Sequence, residues 1–309
     1  MSKTKSAFIA IIGRPNVGKS SILNRILPHK VAAVSDKPQT TRTRIMGIYT
    51  KGNDQLVFID TPGFHKPHNK LGENMMKAVS SGLNDVDAAV LVVDACPKFK
   101  FDPDNLPPAE QELIDGLKKR KLPAILAINK IDLLTDKQEL LSMILVYSKQ
   151  YDFAAVVPLS AKDGNGVDAF IEEALVFCKE SVHYFDDDAV TDQPERVLVS
   201  EIIREKLLRL LQKEIPHGIA VELERFVERD DKNGEPIIDV HAVIYCEKDS
   251  HKGVIIGKGG TMLKRVGTLS RHDIEEFFGC KVSMKLWVKV KENWRNSNFL
   301  IDNFGLKTE

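Results

Sequence analysis

Residues 1–180 contain short, unbroken runs of apolar residues separated by polar stretches with helical periodicity. The runs at 7–12, 88–93, 124–128 and 154–159 lack alternating polar positions. Strands of this kind are buried on both faces, as in a parallel sheet covered by helices. The predicted helices lie between them, at 20–27, 71–83, 108–119, 135–150 and 167–179. Strands that alternate with helices predict a doubly wound α/β domain, in which ligands bind at the carboxyl ends of the strands.

The pattern changes after residues 181–195, an acidic stretch that we interpret as a linker. The second domain, residues 196–309, is predicted to contain a helix, a hairpin with the turn Asp231-Lys232-Asn233-Gly234, a glycine-rich turn, a further helix and a last strand. The predicted bounds are 195–213 for the first helix, 219–228 and 237–245 for the hairpin strands, 278 for the end of the later helix and 281–290 for the last strand. This order predicts a smaller α+β domain.

Composition fits an ordinary globular protein and excludes few partners. The chain has 309 residues, which favours about two domains, and equal numbers of basic and acidic residues, 44 each, so overall charge identifies no partner. Its cysteines are scattered, which favours reduced thiols over a zinc site or disulfides. No apolar run approaches the ~20 residues that span a bilayer, and no signal peptide is recognisable. We expect a cytoplasmic protein and leave loose contact with a membrane surface open.

The first apolar run leads into the segment Gly13-Arg14-Pro15-Asn16-Val17-Gly18-Lys19-Ser20, followed by a helical pattern from Ser21. This matches the P-loop pattern G-x-x-x-x-G-K-[ST] in its strand–turn–helix context. Backbone N–H groups and the positive end of the helix dipole would hold phosphates there, and Lys19 would reach the β- and γ-phosphates. The alternative is a tight turn with a surface lysine. The P-loop interpretation predicts a nucleoside triphosphate site.

A second motif, Asp60-Thr61-Pro62-Gly63, lies at the end of the apolar run 55–60, which is predicted to be the second strand of a hairpin. P-loop proteins keep a carboxylate for Mg²⁺ at this place, so Asp60 and the Ser20 hydroxyl are predicted to hold the metal, and Gly63 N–H to face the γ-phosphate. The polar loop 28–43 would supply a threonine hydroxyl that closes over Mg²⁺. We favour Thr41, with Thr40 as the alternative.

A third motif, Asn129-Lys130-Ile131-Asp132, predicts which base is bound. The Asp132 carboxylate can accept hydrogen bonds from guanine N1–H and N2–H₂, whereas adenine would leave it without partners. Lys130 would lie over the base, and Asn129 would tie this segment to the P-loop. The segment Ser160-Ala161-Lys162 would supply an amide to guanine O6. The alternative for Asp132 is a helix-capping residue.

Two positions bear on the rate of hydrolysis. Phe64 follows Gly63 where Ras-like enzymes carry a water-orienting glutamine. Because phenylalanine cannot orient water, we expect slow intrinsic turnover that rises with a partner, a cation or a water held by the backbone. Asn16 offers an oxygen beside the phosphates, for which K⁺ binding and turn stabilisation are both open interpretations.

Together these motifs resemble the GTPase domain of the Era family of bacterial GTPases. The resemblance implies GTP and GDP as substrate and product, Mg²⁺ as cofactor, and catalytic roles for Lys19, Thr41 and Gly63. The metal would be held by Ser20, Thr41 and Asp60. The nucleotide site would comprise the P-loop and the following serine, the D-T-P-G segment with its next residue, and the base-reading positions, namely Gly13, Arg14, Pro15, Asn16, Val17, Gly18, Lys19, Ser20, Ser21, Asp60, Thr61, Pro62, Gly63, Phe64, Asn129, Lys130, Asp132, Ser160, Ala161 and Lys162.

The resemblance extends through the second domain, which is similar to a type II KH domain. Glycines in its G-x-x-G turn let a nucleic-acid backbone approach closely, and lysine beside them meets phosphate. Unpaired bases would lie in the adjoining apolar groove. Trp287 on the last strand is expected in the core more often than as a stacking platform. The predicted RNA contacts are Val254, Ile255, Gly257, Lys258, Gly259, Gly260, Lys264 and Arg265.

The family resemblance implies a GTP-hydrolysing switch that binds small-subunit ribosomal RNA near its 3′ end and assists assembly of the small ribosomal subunit. We separately predict a monomer. An alternative is an RNA-binding module in which guanine nucleotide is structural and hydrolysis is vestigial. A small-molecule P-loop kinase is disfavoured, because such an enzyme needs neither the guanine-reading motif nor an RNA-binding domain.

Overall fold

The computed structural model describes residues 3–96, 106–212 and 215–306. They form two compact units. Unit 1 comprises Met1–Ala32, Thr41–Lys66 and Met75–Asp192, and unit 2 comprises Ala33–Thr40, Pro67–Asn74 and Gln193–Glu309. The main boundary, after Asp192, lies inside the predicted linker. Across the described ranges, no helix combines the length and the apolar character needed to cross a bilayer.

Unit 1 alternates strands and helices, with one hairpin. Its strands are β1 (Lys5–Ile12), β2 (Ile45–Lys51), β3 (Asp54–Asp60), β4 (Ala88–Asp94), β5 (Ala124–Asn129), β6 (Ala155–Leu159) and β7 (Lys179–Glu180). Its helices are α1 (Lys19–Ile26), α2 (Lys70–Ser81), α3 (Pro108–Arg120), α4 (Lys137–Gln150) and α5 (Val167–Leu175), with the first turns of α2 grouped in unit 2. The predicted helix positions agree within a few residues, except that α5 ends earlier because residues 179–180 pair with β1.

The sheet has the strand order β2-β3-β1-β4-β5-β6. Strand β2 is antiparallel to β3, and each neighbouring pair from β3 through β1, β4 and β5 to β6 is parallel. Apolar residues of α2, α3 and α4 pack on one face, against β1, β4 and β5. On the other face Phe58 of β3 stacks on Phe170 of α5, with ring centroids 6.0 Å apart. The predicted doubly wound α/β fold is therefore confirmed, and the carboxyl ends of β1, β3, β4 and β5 meet at one edge.

The first part of the predicted linker belongs to unit 1, and a buried glutamine of β3 makes several of its contacts. Gln55 on β3 is fully buried, and its Oε1 accepts from the N–H groups of Tyr184 (2.8 Å) and Phe185 (3.1 Å). Its Nε2 donates to Phe185 O at 3.0 Å. The Tyr184 ring also lies 4.9 Å from that of Phe8. The acidic composition predicts a solvated connection at residues 181–195, but Tyr184 and Phe185 in its first part pack against β1 and β3.

Unit 2 has the order of elements predicted for a type II KH domain. Its elements are α6 (Glu195–Leu210), β8 (Ala220–Asp230), β9 (Pro236–Cys246), α7 (Asp249–Ile256), α8 (Thr261–Phe278), β10 (Lys281–Val290) and α9 (Asn298–Asn303). In its sheet β9 is central, antiparallel to β8 and parallel to β10. The core lies between this sheet and α6, α7 and α8. The predicted helix 195–213 ends at Leu210, and Lys213 lies outside the described residues.

The two tryptophans differ in environment. Trp294 is fully buried, donates from Nε1 to Gly218 O at 2.9 Å, and lies 5.4 Å from the ring of Phe304. Trp287 on β10 is 40% exposed and meets His241 edge-on, which corrects the expectation that it belongs to the core. The reason is that alternate residues of β10, among them Val282 and Val288, are the ones directed into the helix-covered core.

Replacing the buried glutamine tests how the segment before the unit boundary is held. Gln55→Leu leaves the N–H groups of Tyr184 and Phe185 without their acceptor. We expect the free energy of unfolding of unit 1 to fall by about 2 kcal/mol. Denaturant titration of the full chain, together with proteolysis within 181–192, measures the effect.

The matched control is Gln111→Leu, since Gln111 on α3 makes a hydrogen bond at the surface. Its effect should stay below about 0.5 kcal/mol. Equal stability and equal proteolysis of the two variants would contradict this account of Gln55.

Candidate functional site

The P-loop turns from β1 into α1 with its lysine folded back on the loop. Gly18 precedes α1 in the left-handed conformation (φ 100°), which an L side chain rarely adopts. Lys19 is 5% exposed, and its Nζ donates to Gly13 O (3.1 Å) and Arg14 O (3.0 Å). The lysine therefore stands inside the loop that is predicted to surround phosphates, rather than on the surface.

Lys19 and Asp60 are buried charges of opposite sign. Burial lowers the pKa of Lys19 to about 8, with Asp60 opposing the shift. Burial raises the pKa of Asp60 to about 6, although Lys19 and the hydrogen bonds from Ser20, Thr41 and Thr61 oppose it. Both shifts express the cost of charge in a site that excludes water. Charged ligands would offset that cost.

Ser20, Thr41 and Asp60, the predicted metal residues, lie together in unit 1. Ser20 Oγ donates to Asp60 Oδ2 at 2.5 Å and lies 2.8 Å from Thr41 Oγ1. Asp60 Oδ1 is buried without a hydrogen-bond partner. An oxygen-only donor set with a buried carboxylate oxygen left over fits Mg²⁺.

The hydrogen bonds of Thr40 and Thr41 favour Thr41 as the residue that would hold the metal. The Thr40 hydroxyl donates to Lys37 O at 2.6 Å and contacts Ser35 Oγ at 2.7 Å, within its own loop. The Thr41 hydroxyl instead lies beside Ser20, and Thr41 is 7% exposed. The geometry thus supports Thr41.

The D-T-P-G segment runs against the P-loop. A Cβ on Gly63 would lie 2.6 Å from Pro15 Cα, so only glycine allows this approach. The Thr61 hydroxyl donates to Ile11 O at 2.8 Å, and Phe64 N–H donates to Gly13 O at 3.0 Å. The Phe64 side chain packs against the apolar cluster under α2 and α3. It is therefore occupied by packing and unsuited to orienting water.

The N-K-I-D segment supports the P-loop from the end of β5. Asn129 Nδ2 donates to Val17 O at 2.9 Å, which is the tie that the sequence predicts. Lys130 has a left-handed backbone (φ 69°), and its Nζ donates to Asn16 O at 2.8 Å and to Asp94 Oδ2 at 2.5 Å. Asp94, at the end of β4, was not singled out from the sequence. Its signal is its place at the carboxyl edge of the sheet.

The predicted guanine reader is oriented by the S-A-K segment. Asp132 has a side chain that is 11% exposed, and its Oδ1 accepts from the Ser160 hydroxyl at 2.8 Å. Lys162 Nζ stands 3.9 Å from the other carboxylate oxygen. Ala161 N–H, the predicted donor to guanine O6, donates to Asn129 Oδ1 at 3.0 Å. The structure therefore brings the base-reading residues together, with the Ala161 amide engaged by Asn129.

In unit 2 the turn Gly257–Gly260 joins α7 to α8 and adjoins a groove. Gly260 begins α8 in the left-handed conformation (φ 78°), with open space where a Cβ would stand. The groove has a volume of about 400 Å³ and lies between α8 and β10. It is lined by Gly260, Leu263, Lys264, Gly267, Thr268, Arg271, Met284 and Leu286.

The predicted RNA contacts divide between surface and core. Lys258, Gly259, Lys264 and Arg265 are exposed, and Val254 is 49% exposed. Ile255 is fully buried in the core of unit 2, so its prediction as an RNA contact is corrected. Met284 and Leu286 of β10 line the groove and were not named from the sequence. They lie on the face of β10 that is directed to the helices.

Comparison with known proteins identifies the family. Residues 8–130 match the family described as 50S ribosome-binding GTPase, and residues 214–295 match the KH domain family. GTPase Era of Clostridioides difficile is 49% identical over 301 residues, covering 97% of this chain and 98% of the relative. The chain belongs to the Era family of GTPases. The resemblance stated from the sequence is thereby confirmed.

Two solved Era structures share the architecture. Each has 32% sequence identity and a TM-score of 0.91, and the match covers 99% of this chain and 100% of that structure. One is Era in complex with MgGDPNP and nucleotides 1506–1542 of 16S ribosomal RNA. The other is an Aquifex aeolicus Era variant bound to GDP and aluminium fluoride. A P-loop GTPase domain followed by a KH domain is therefore the fold of the chain.

Exchanging the carboxylate of Asp132 for an amide tests base selection. Asp132→Asn turns an acceptor pair into one acceptor and one donor, so xanthine, which presents an acceptor at C2, becomes the better partner. We expect GTP affinity to fall by at least about a hundredfold and XTP affinity to exceed it. Competition of GTP and XTP against a fluorescent nucleotide measures both.

The control is Asp136→Asn, because Asp136 caps α4 by accepting from Gln138 N–H and asparagine caps equally well. It should keep its preference for GTP. If the Asp132 variant also kept that preference, the assignment of the guanine reader would be lost.

Proposed function

We propose that the chain is a GTP-hydrolysing switch that binds small-subunit ribosomal RNA near its 3′ end and assists assembly of the small ribosomal subunit. The observation that carries the proposal is the position of the Asp132 carboxylate, the predicted guanine reader. It accepts a hydrogen bond from Ser160, and Asn129 of the same segment donates to the P-loop. The RNA part is supported by the open G-x-x-G turn and its groove in unit 2.

The residues of the phosphate site have distinct tasks. Lys19, already directed into the loop, exchanges carbonyl partners for phosphate oxygens and neutralises charge that develops during hydrolysis. Ser20 and Thr41 would hold Mg²⁺ with their hydroxyls, and Asp60 would supply its free carboxylate oxygen or orient a bound water. Bound to these residues, Mg²⁺ would supply positive charge that offsets the charge of the phosphates. Gly63 N–H would orient the γ-phosphate.

Slow intrinsic hydrolysis follows from the surroundings of Phe64. Its side chain packs in the apolar cluster, so the attacking water needs another source of orientation. Backbone groups or a bound RNA would supply it. Activation by K⁺ at the Asn16 side-chain oxygen is a finer part of this proposal, and equal turnover in sodium and potassium salts would remove it. Loose membrane association and a monomeric state stay predictions.

The two adjacent threonines provide a matched test of the metal site. Thr41→Val removes one oxygen ligand at nearly constant volume. We expect the Mg²⁺ concentration that half-saturates GTP binding to rise about tenfold, as for the loss of one good polar contact. Thr40→Val should leave that concentration as in the parent, because its hydroxyl is used within the loop. The reverse pattern would move the ligand to Thr40.

The RNA function is tested by reversing the charge at the glycine-rich turn. Lys258→Asp should weaken binding of an RNA carrying the 3′ end of 16S ribosomal RNA about tenfold and lower the salt dependence of binding, because phosphate contacts are lost. Stimulation of γ-phosphate release by that RNA should fall in parallel. Lys232→Asp, in the hairpin turn of the same unit, is the matched control.

Two outcomes would oppose the proposal. Equal RNA affinities of the two variants would remove the turn Gly257–Gly260 from the interface. RNA binding without any rise in γ-phosphate release in the parent protein would instead favour a binding module whose nucleotide is structural.

A further inference from the structure

A buried carboxylate lies outside the motifs used so far. Glu110 stands in the first turn of α3 and is fully buried. An ionised carboxylate is costly to bury unless it is paired and hydrogen-bonded. Glu110 has such partners on both oxygens. Oε1 is paired with Arg14 Nε, and Oε2 accepts from the hydroxyl of Tyr147 on α4.

Arg14 connects this carboxylate to the phosphate site. It is the second residue of the P-loop, and its side chain is 21% exposed and paired with Glu110 of α3. Its carbonyl oxygen accepts from Lys19 Nζ at 3.0 Å. One residue therefore joins Glu110 to the catalytic lysine, through its side chain on one side and its peptide on the other.

The later half of the P-loop has different supports. Asn129 holds the carbonyl of Val17, and Lys130 holds that of Asn16. Both belong to the base-reading segment, which leaves the first half of the loop to other contacts. Arg14 lies in that first half, and Glu110 pairs with its side chain.

We infer that Glu110, oriented by Tyr147, is a positioning residue for phosphate binding that acts by holding the first half of the P-loop through Arg14. The inference rests on the proposed nucleotide function of this site. A loop fixed before the ligand arrives loses less conformational freedom when its N–H groups and Lys19 close on phosphate.

Tyr147 contributes as a permanent donor. It is 2% exposed, and burial together with the Glu110 carboxylate raises the pKa of its hydroxyl, so the hydroxyl stays protonated at neutral pH. Its hydrogen bond leaves Glu110 a single orientation, with the other oxygen directed to Arg14. We therefore expect the loss of this hydroxyl to affect phosphate binding through Glu110.

The experiment compares Glu110→Gln, Tyr147→Phe, the double variant and a matched control in the full chain. Positioning of the loop contributes to ground-state and transition-state binding alike, so KM for GTP and Kd for GDP should rise while kcat changes little. We expect a rise of about tenfold for Glu110→Gln and about threefold for Tyr147→Phe, with kcat within about threefold of the parent. The double variant should match Glu110→Gln, because Tyr147 acts through the same carboxylate.

Tyr151→Phe is the control. Tyr151 lies just after the end of α4, and its hydroxyl donates to Leu122 O at 2.6 Å, a contact that does not involve the P-loop. It loses one hydroxyl, as Tyr147→Phe does, and should keep the parent affinity. Unfolding midpoints, measured alongside, separate a loss of stability from a loss of affinity.

The outcomes are separable. If Tyr147→Phe and Tyr151→Phe bind GDP equally well at a temperature where both are folded, the positioning role is overturned, even if Glu110→Gln fails to fold. Additive effects in the double variant would also overturn it. If the parent protein binds no guanine nucleotide, the proposed function itself fails, and this inference fails with it.

Discussion

The burial of opposite charges at the carboxyl edge of the sheet is the constraint on which the site depends. Lys19 and Asp60 are both buried. Burial lowers the pKa of Lys19 and raises that of Asp60, so it favours the neutral form of each. Each lowers the cost of the other, as their mutual attraction opposes both shifts. The fold stabilises this arrangement because parallel strands end together, which places β1 and β3 side by side and brings the P-loop onto the D-T-P-G segment.

Neutral groups complete the site where further charge would cost too much. Ser20 and Thr41 supply hydroxyls around Asp60, and Asn129 supplies an amide that contacts Val17 of the P-loop and Ala161 of the next loop. Because Asn129 Nδ2 would lie 2.1 Å from a Cβ on Gly18, the same contact requires glycine there. Asn129 therefore links the P-loop to the two segments that are predicted to read the base.

The sequence is informative where function depends on residues that are close along the chain. The P-loop, the D-T-P-G and N-K-I-D segments and the glycine-rich turn are short, and the parallel-sheet rule then places the first three at one edge. Contacts between distant residues outside these motifs were not predictable in this way. Glu110 and Arg14 are 96 positions apart, and Gln55 meets Tyr184 across 129 positions. Strand alternation places Trp287 on a face of β10 but does not tell which face the helices cover.

The chain uses one backbone device twice, with different surroundings that select different ligands. In both places a glycine in the left-handed conformation, Gly18 or Gly260, begins a helix, and a lysine stands next to the turn or within it. Around Gly18 the space is filled by Asn129, and Lys19 is buried, so the turn fits a small ligand whose base is read separately. Around Gly260 the space is open and Lys258 is exposed, beside a groove of about 400 Å³. An open turn beside a groove leaves room for a polymer, and this contrast agrees with the proposed binding of GTP in one unit and of RNA in the other.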